Sequence, residues 1–204
     1  MDIIRLRYGN TNTYLISGAC ASVLVDTDYA GTMPAFYRAI KDAGVRICDI
    51  DYVLATHFHP DHCGLMGELA GKGVKPVVME TQMPFVHFSD AIFMRTPALS
   101  YVPLDDALIR ELTFEESRAF LKECGIGGQI VSTPSHSEDS VSLILDDGTA
   151  IVGDLEPIAY LEGYDDDAIH QAALKADWDK ILSFDPRVVL HAHANEKRLG
   201  PDLG

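Results

Sequence analysis

The chain contains 204 residues, of which 47% are hydrophobic and 23% are charged, values typical of one folded domain rather than of a disordered or fibrous chain. The 31 Asp and Glu outnumber the 16 Lys and Arg, so the formal net charge is -15. A charge of this sign repels phosphate backbones and argues against a nucleic-acid partner.

In the first half of the chain, short apolar runs predict strands. These strands are expected at residues 4–8, 14–16, 23–25, 52–55 and 77–79. Between the third and fourth strands a helix is expected, because Pro34 suits a first helical turn and Gly44 suits the position just after a helix. Thr113 and Glu116 form the pattern of a capping box, which predicts another helix that Gly125 would end.

The second half of the chain repeats this order of strands and helices. Strands are expected at residues 129–131, 141–145, 150–152 and 188–190. Asp147-Gly148 predicts a hairpin turn. A helix is expected to begin at Asp167, with one buried side formed by Ile169, Ala173, Ala176 and Ile181. Strands that alternate with helices indicate an α/β protein.

No linker or internal repeat divides the sequence, so we expect residues 1–204 to form a single domain. No apolar run approaches the ~20 residues that span a bilayer, and the N-terminus lacks a signal-peptide pattern. We therefore expect no membrane partner and a cytoplasmic location. The four cysteines lack a C-x-x-C spacing and are expected to be reduced, with most of them packing in the core.

Most of the eight histidines follow predicted strands directly, together with two aspartates. These residues are His57, His59, Asp61, His62, His136, Asp154, His191 and His193. Because residues at the carboxyl ends of adjacent strands converge on one edge of a sheet, they predict one polyhistidine centre. Imidazole and carboxylate donors without cysteine suit Zn²⁺, and Fe or Mn fit the same donors.

Each of these residues also has a simpler explanation. A lone His136 or His193 is more often a surface or capping histidine, and a lone Asp154 after a strand is more often a turn residue. If the last strand continues, His191 and His193 lie on the same face, so His191 competes as the ligand. Only the joint pattern favours a metal centre.

Residues 57–62 read H-F-H-P-D-H and resemble the H-x-H-x-D-H motif of the metallo-β-lactamase superfamily. Further segments resemble that family's other motifs in the family's order, and the matches extend to about residue 193. These segments are residues 23–27 (the strand and aspartate before the motif), 133–136 (T-P-G-H), 153–154 (G-D) and 191–194 (P-G-H-G). The resemblance therefore covers almost the whole chain.

The resemblance implies a four-layer αββα sandwich with a dinuclear metal site at one edge. It implies two ligand sets, one of His57, His59 and His136, the other of Asp61, His62 and His193, with Asp154 as the bridge. Asp61 would also be catalytic, because it would orient the attacking hydroxide. The implied activity is hydrolysis of a small ester, thioester, lactone or related acyl bond through a hydroxide that bridges two divalent ions, with Zn²⁺ expected and Fe or Mn as alternatives.

Departures from the family pattern leave the subfamily open. Ser135 and Leu65 replace usual glycines, and His191 and two alanines replace the proline and glycines near the last ligand. Two other functions stay open beside hydrolysis. One is a mononuclear iron oxygenase similar to the persulfide dioxygenases, and the other is a catalytically silent metal-binding or sensor module.

Residues 82–112 carry many large apolar side chains and no strand signal, which predicts a helical cover over the metal site. Phe88, Phe93 and Tyr101 are the expected contacts with a small-molecule substrate whose acyl portion is apolar or aromatic. Core packing and a homodimer interface are the alternatives for this stretch.

Overall fold

A computed structural model describes residues 1–162 and 168–200, and within these ranges the strands form two sheets. The first sheet contains, in spatial order, β1 (Asp2–Arg7), β2 (Asn12–Ser17), β3 (Ser22–Val25), β4 (Tyr52–Leu54), β5 (Lys75–Met79) and β6 (Arg110–Leu112). The second contains β7 (Gly128–Ser132), β8 (Val141–Leu145), β9 (Thr149–Ile151), β10 (Val188–Leu190) and β11 (Lys197–Arg198), in the spatial order β11-β10-β9-β8-β7.

Helices connect the strands. They are α1 (Met33–Asp42), α2 (Pro60–Cys63), α3 (Met66–Ala70), α4 (Asp90–Met94), α5 (Phe114–Glu123) and α6 (Ala168–Leu182). Short 3-10 turns lie at Ile47–Asp49, Met83–Phe85, Pro97–Leu99, Asp106–Leu108 and Ile158–Glu162. No helix in the described ranges is both long enough and apolar enough to cross a membrane.

The alternation of side chains along each strand creates the layers of the fold. In β3, Val23 and Val25 belong to the apolar core between the two sheets, whereas Leu24 belongs to the core that α1 and α3 cover. In the second sheet, Leu143 belongs to the core between the sheets and Ile144 to the core under α6. Helices therefore cover the outer faces of two packed sheets, and the expected α/β class with αββα layers is confirmed.

Parallel pairing brings the strand ends together. Strands β3, β4, β5 and β6 are mutually parallel, and β9 is parallel to β10. The loops after β3, β4 and β5 therefore leave the first sheet at one edge, and those after β9 and β10 leave the second sheet at one edge. The histidines and aspartates of the sequence motifs lie in these loops and in the connection between β7 and β8.

Two local predictions are confirmed in detail. Thr113 Oγ1 accepts the backbone N–H of Glu116, and the Glu116 carboxylate accepts the backbone N–H of Thr113 at 2.9 Å, so the capping box begins α5. Asp147-Gly148 turns β8 into antiparallel β9, and Gly148 adopts a φ of 86° that favours glycine.

The structure corrects three predictions. Strand β6 lies inside the stretch at residues 82–112, where no strand was expected, and β11 follows the last predicted strand. The buried side of α6 consists of Leu174, Asp177, Trp178 and Ile181, whereas Ile169 is exposed, because Trp178 rather than the alanines fills the space under the second sheet. The predicted start of this helix at Asp167 lies outside the described residues.

Candidate metal centre

The first group of donors consists of His57, His59 and His136. His57 Nε2 lies 2.9 Å from His59 Nδ1, and His136 Nε2 lies 3.1 Å from the same atom. One donor atom from each ring fits within a common distance of 4.8 Å, which is compatible with one shared ion. The first two rings follow β4 of the first sheet, and His136 follows β7 of the second.

The second group of donors consists of Asp61, His62 and His193. His193 Nε2 lies 3.2 Å from Asp61 Oδ2, and His62 Nε2 lies 3.9 Å from the same oxygen. This group also combines both sheets, because Asp61 and His62 lie on α2 while His193 follows β10.

Asp154 lies between the two groups and faces each with a different oxygen. Its Oδ1 is 3.3 Å from His62 Nε2 and 3.2 Å from His193 Nε2. Its Oδ2 is 3.7 Å from His136 Nε2 and 3.9 Å from His57 Nε2. The structure thus brings together all seven residues that the family resemblance implied as ligands, and the carboxylate of Asp154 lies between the two groups.

Two unpartnered atoms indicate that this cluster suits a cation. His62 Nε2 and Asp154 Oδ1 are buried and have no hydrogen-bond partner among the described residues, although they lie only 3.3 Å apart. Leaving a buried polar atom unpaired costs about 1–3 kcal/mol, more for a charged group. A metal ion would satisfy both atoms, and imidazole with carboxylate is the donor chemistry of Zn²⁺, Fe and Mn sites.

The pKa values divide the two groups. Burial lowers the pKa of His57 far below its usual range and lowers the pKa of His136, so these rings are neutral and have a lone pair available. Burial opposes protonation of His62, but Asp26 and Asp154 raise its pKa to about 10. Contacts with Asp154 and Asp61 raise the pKa of His193 to about 10. A proton on each of these two rings would offset the negative charge of the neighbouring carboxylates, and a bound cation could offset the same charge.

The loop from His57 to His62 owes its shape to a proline and a short helix. His59 has extended backbone dihedrals and directly precedes α2, which Pro60 begins. The backbone N–H of His62 donates to His59 O at 3.0 Å. This one turn of helix places Asp61 and His62 in the second donor group, where the ring of His62 still lies 4.0 Å from that of His57.

Asp26 supports the cluster through contacts with Thr56 and with the His62 ring nitrogen that faces away from the other donors. It adopts a φ of 61°, which is unusual for a non-glycine residue, and its carboxylate accepts the backbone N–H of Thr56 at 2.6 Å. Its Oδ2 also lies 3.1 Å from His62 Nδ1, which leaves Nε2 of that ring for the cluster. Gly153 has a φ of 56°, and a Cβ there would lie 2.4 Å from Thr56 Oγ1.

Further buried polar residues hold the loops, and the sequence motifs did not reveal them. Asn12 Nδ2 donates to the carbonyl oxygens of His191 and Ala194 at 2.9 Å each, which positions the loop that carries His193. Asp139 Oδ2 accepts the backbone N–H of Phe58 at 2.7 Å. Asn12 begins β2 and Asp139 lies shortly before β8, and no local pattern in the sequence identifies their partners.

Gln82 connects the loop after β4, which carries His57, to the connection between β7 and β8, which carries His136. Its Nε2 donates to Ala55 O at 2.9 Å, to Thr56 O at 3.2 Å and to Asp139 O at 3.2 Å. Its Oε1 accepts the backbone N–H of Met79 at 3.1 Å. The side chain is fully buried, so these bonds are shielded from water.

Helix α6 supports the second-sheet loops. Asp177 Oδ2 accepts the backbone N–H of Ser135 at 2.8 Å, directly before His136. Trp178 Nε1 donates to Glu156 O at 2.9 Å, two residues after Asp154. Two adjacent residues of one helix therefore fix the loops that carry two of the seven cluster residues.

His191 takes a supporting position. Its carbonyl oxygen accepts hydrogen bonds from Asn12 Nδ2 and from the Tyr14 hydroxyl at 2.8 Å, and its buried ring lies 6.4 Å from the ring of Trp178. Among the described residues, His191 belongs to none of the donor groups, whereas His193 does.

The three predicted substrate contacts have different surroundings. Phe88 is 58% exposed, and its ring lies 6.1 Å from that of His59, so it borders the cluster. Phe93 is only 1% exposed and packs on Tyr29 and Tyr101, so it is a core residue rather than a pocket surface. Tyr101 is half-buried, and its hydroxyl donates to Asp90.

An open cleft of about 350 Å³ adjoins the cluster on the side of the second sheet. His136, Asp154 and His193 form its inner wall. Its other lining residues are Gly153, Leu155, Glu156, Pro157, Tyr160, His191 and Ala194. A cleft of this size beside the donor cluster can hold a small molecule.

His87 and Cys63 lie outside the cluster. The ring of His87 contacts Asp106 and Asp90 at 2.9 and 2.8 Å, and these hydrogen bonds raise its pKa. Cys63 is buried against Phe58 O, and burial raises the pKa of its thiol to about 12, as expected for a packing residue rather than a nucleophile.

Residues 6–193 match the family model of the metallo-beta-lactamase superfamily. The chain belongs to this superfamily. Among curated relatives, it is 28% identical over 186 residues to the Beta-lactamase-like protein 2 homolog of Drosophila melanogaster, covering 91% of this chain and 59% of that protein. It is 28% identical over 143 residues to the Atrochrysone carboxyl ACP thioesterase of Aspergillus fumigatus, covering 69% of this chain and 28% of the relative. The chain thus spans little more than half of the first relative and less of the second.

Solved structures share the fold at low sequence identity. The metallo-beta-lactamase family protein TTHA1429 from Thermus thermophilus superposes with a TM-score of 0.69 and 21% identity, covering 96% of this chain and 73% of that one. TTHA1623 in a di-iron-bound form gives 0.68 and 23%, covering 97% and 94% of the two chains. The BLEG-1 B3 metallo-beta-lactamase gives 0.69 and 20%, with the same coverage.

Proposed function

We propose that the chain is a dinuclear metal-dependent hydrolase that cleaves a small ester, thioester, lactone or related acyl bond, with Zn²⁺ as its metal. The observation that carries the proposal is the position of Asp154, whose two oxygens face two separate donor groups. A single-metal site does not need a second group of three donors on the far side of a shared carboxylate.

Each part of the cluster has a role in this proposal. Two divalent ions held there would activate a water molecule at neutral pH and polarise the carbonyl oxygen of the substrate. His57, His59 and His136 would hold one ion, and His62, His193 and Asp61 the other. Asp61 is partly exposed, so its carboxylate can also orient the attacking water.

Two findings support an acyl bond as the target. The Aspergillus fumigatus relative is named as a thioesterase. The cleft beside the cluster has room for a small acyl compound, and its wall combines Leu155 and Pro157 with a few polar groups, as small-molecule sites usually do. Superfamily membership adds a general expectation of metal-dependent hydrolysis.

The experiment combines metal quantification with a panel of acyl esters, thioesters and lactones. We expect about two metal ions per chain, loss of activity on chelation and recovery with Zn²⁺ or Mn²⁺. One metal ion in a fully loaded, active preparation would refute the dinuclear centre. An iron-only preparation that consumes O₂ and hydrolyses nothing on the panel would favour the oxygenase alternative.

A variant pair tests the role of Asp61. Asp61→Ala should lower kcat by about 100-fold or more, because it removes a group that acts on the reacting atoms. Asp179→Ala is the matched control, since this aspartate is exposed on α6 and its carboxylate pairs with Lys175 in the described part of the chain. Circular dichroism should be unchanged for both. Full activity in Asp61→Ala would refute its assignment.

A further inference from the structure

Outside the metal cluster, the described lining of the cleft carries the carboxylate of Glu156 and no Lys or Arg. Apart from the cluster residue Asp154, its ionisable lining in the described part of the chain is Glu156, Tyr160, His191 and the two cluster histidines, with no Lys or Arg. Glu156 lies two residues after Asp154, and its Oε2 contacts His170 Nε2 at 2.9 Å. The side chain is only partly exposed, so its charge is less screened than that of a surface carboxylate.

The absence of Lys and Arg extends over a long segment of the sequence around the cleft residues. No Lys or Arg occurs between Lys122 and Lys175, the interval that supplies His136, Asp154 and most of the cleft wall. Carboxylates are frequent in the same interval, and they include Glu138, Asp139, Glu156, Glu162 and residues 165–167.

The cations of neighbouring elements do not line the cleft. Lys180 on α6 donates to the carbonyl oxygen of Ser132. Lys197 lies on β11, in register with Val189 of β10. Burial is the main cause of the lowered pKa of His191, and Lys197 lies close enough to lower that pKa further. Lys72 and Lys75 line a different cavity, at the amino ends of the parallel strands.

We infer that this cleft binds the part of the substrate remote from the reacting carbonyl, and that it selects neutral or cationic groups and rejects anionic ones. The inference rests on the proposed hydrolytic function. A carboxylate or phosphate placed beside Glu156 would meet a like charge in a partly desolvated cleft with no lysine or arginine to pair with. The metal ions of the proposed centre attract anions, so the selection concerns the distal group and not the reacting carbonyl.

The test uses three acetyl thioesters of similar length whose thiol portions end in a trimethylammonium, a tert-butyl or a carboxylate group. At low salt, we expect kcat/KM for the cationic and neutral compounds to exceed that for the anionic compound by about tenfold or more. The ratio should shrink between about 0.02 and 0.3 M salt, because screening weakens charge selection and leaves shape selection unchanged. Equal or better hydrolysis of the anionic compound would overturn the inference.

Variants assign the selection to the cleft. Glu156→Lys should reduce the neutral-to-anionic ratio by about fivefold or more, and Glu156→Gln by less. Glu123→Lys makes the same change in net charge at the last residue of α5, outside the cleft lining, and should alter the ratio by less than about twofold. An unchanged ratio in Glu156→Lys, or an equal effect of Glu123→Lys, would show that the cleft does not select.

Binding separates this inference from the proposed function. The three matching thioethers cannot be hydrolysed, and their affinity for metal-loaded protein can be measured by calorimetry. If no thioester is cleaved but the thioethers keep the same order, the hydrolytic proposal fails while the charge selection stands. If the thioesters are cleaved without any order, only the charge selection fails.

Discussion

Replacing Gln82 with methionine tests whether a buried amide holds the loop after β4 to the connection between β7 and β8. Methionine has nearly the same length and fills the same space, but it offers no N–H donor and only a weak acceptor. The carbonyl oxygens of Ala55 and Asp139 would lose the N–H donors that Gln82 supplies, and Met79 N would lose its acceptor. Thr56 O keeps a second donor, the backbone N–H of Val141 at 2.8 Å.

The expected loss of stability follows from these contacts. A buried polar group without a partner costs about 1–3 kcal/mol, and some of the three groups can regain water through local movement, so we expect a loss of about 2–4 kcal/mol. For a chain of this size each kcal/mol corresponds to ~2–4 °C in Tm. A decrease in Tm of roughly 5–15 °C is therefore expected.

The assay is urea unfolding of the chelator-treated protein, which separates stability from metal binding. Gln129→Met is the matched control, because Gln129 is partly exposed and its side chain accepts one hydrogen bond from Arg118. That control should stay within about 0.5 kcal/mol of the wild type. If Gln82→Met also unfolds within about 0.5 kcal/mol of the wild type, the bridging role of the amide is refuted.

Three further predictions concern other groups. Burial raises the pKa of Cys63 to about 12 and that of Cys124 to about 11. Only the two exposed cysteines should therefore react with a thiol reagent near pH 8, and reaction of all four in the native protein would contradict this. The carboxylates that contact His87 raise its pKa above 6.5, so its protonated form adds stability that is complete below about pH 6.5 and is lost as the pH rises through the shifted value. His87→Ala should therefore lower Tm more near pH 6 than near pH 9, and an equal decrease at both would refute the linkage. Asp177→Ala should lower the free energy of unfolding by about 1–3 kcal/mol and weaken metal binding, because it removes the acceptor for the backbone N–H of Ser135. Asp177→Asn should restore most of the stability and of the metal affinity. Unchanged metal affinity in the alanine variant would limit the role of Asp177 to packing.

The sequence predicted the chemistry of the cluster because that chemistry is concentrated at strand ends. Parallel strands bring their carboxyl ends together within one sheet, so the residues after β9 and β10 meet at one edge of the second sheet. The packing of the two sheets then brings them to the residues after β4 of the first sheet. The short spacing in H-F-H-P-D-H further divides the donors of this motif between two adjacent groups, because Pro60 begins a helical turn inside the motif. Whether the seven residues bind metal stays a prediction until the metal is measured.

The supporting residues could not be predicted in the same way. Gln82 and Asp177 act through partners far away in the sequence, such as the pair of Gln82 and Asp139, which are separated by 57 residues. Nothing local distinguishes such a side chain from an ordinary polar residue at the end of a strand or on a helix. The buried face of α6 was misjudged for a related reason, because the burial of Trp178 and Asp177 depends on what the second sheet presents to them.

Both donor groups draw on both sheets, and this links metal binding to the packing of the sheets. The first group takes His57 and His59 from the first sheet and His136 from the second, while the second group adds His193 of the second sheet to residues of α2. An ion in either group would therefore cross-link the two sheets. Ligands that bind only the folded state stabilise it by about 2.7 kcal/mol at a free concentration 100 times the Kd. Metal loading should accordingly oppose separation of the two sheets, in addition to the shared apolar core that already joins them.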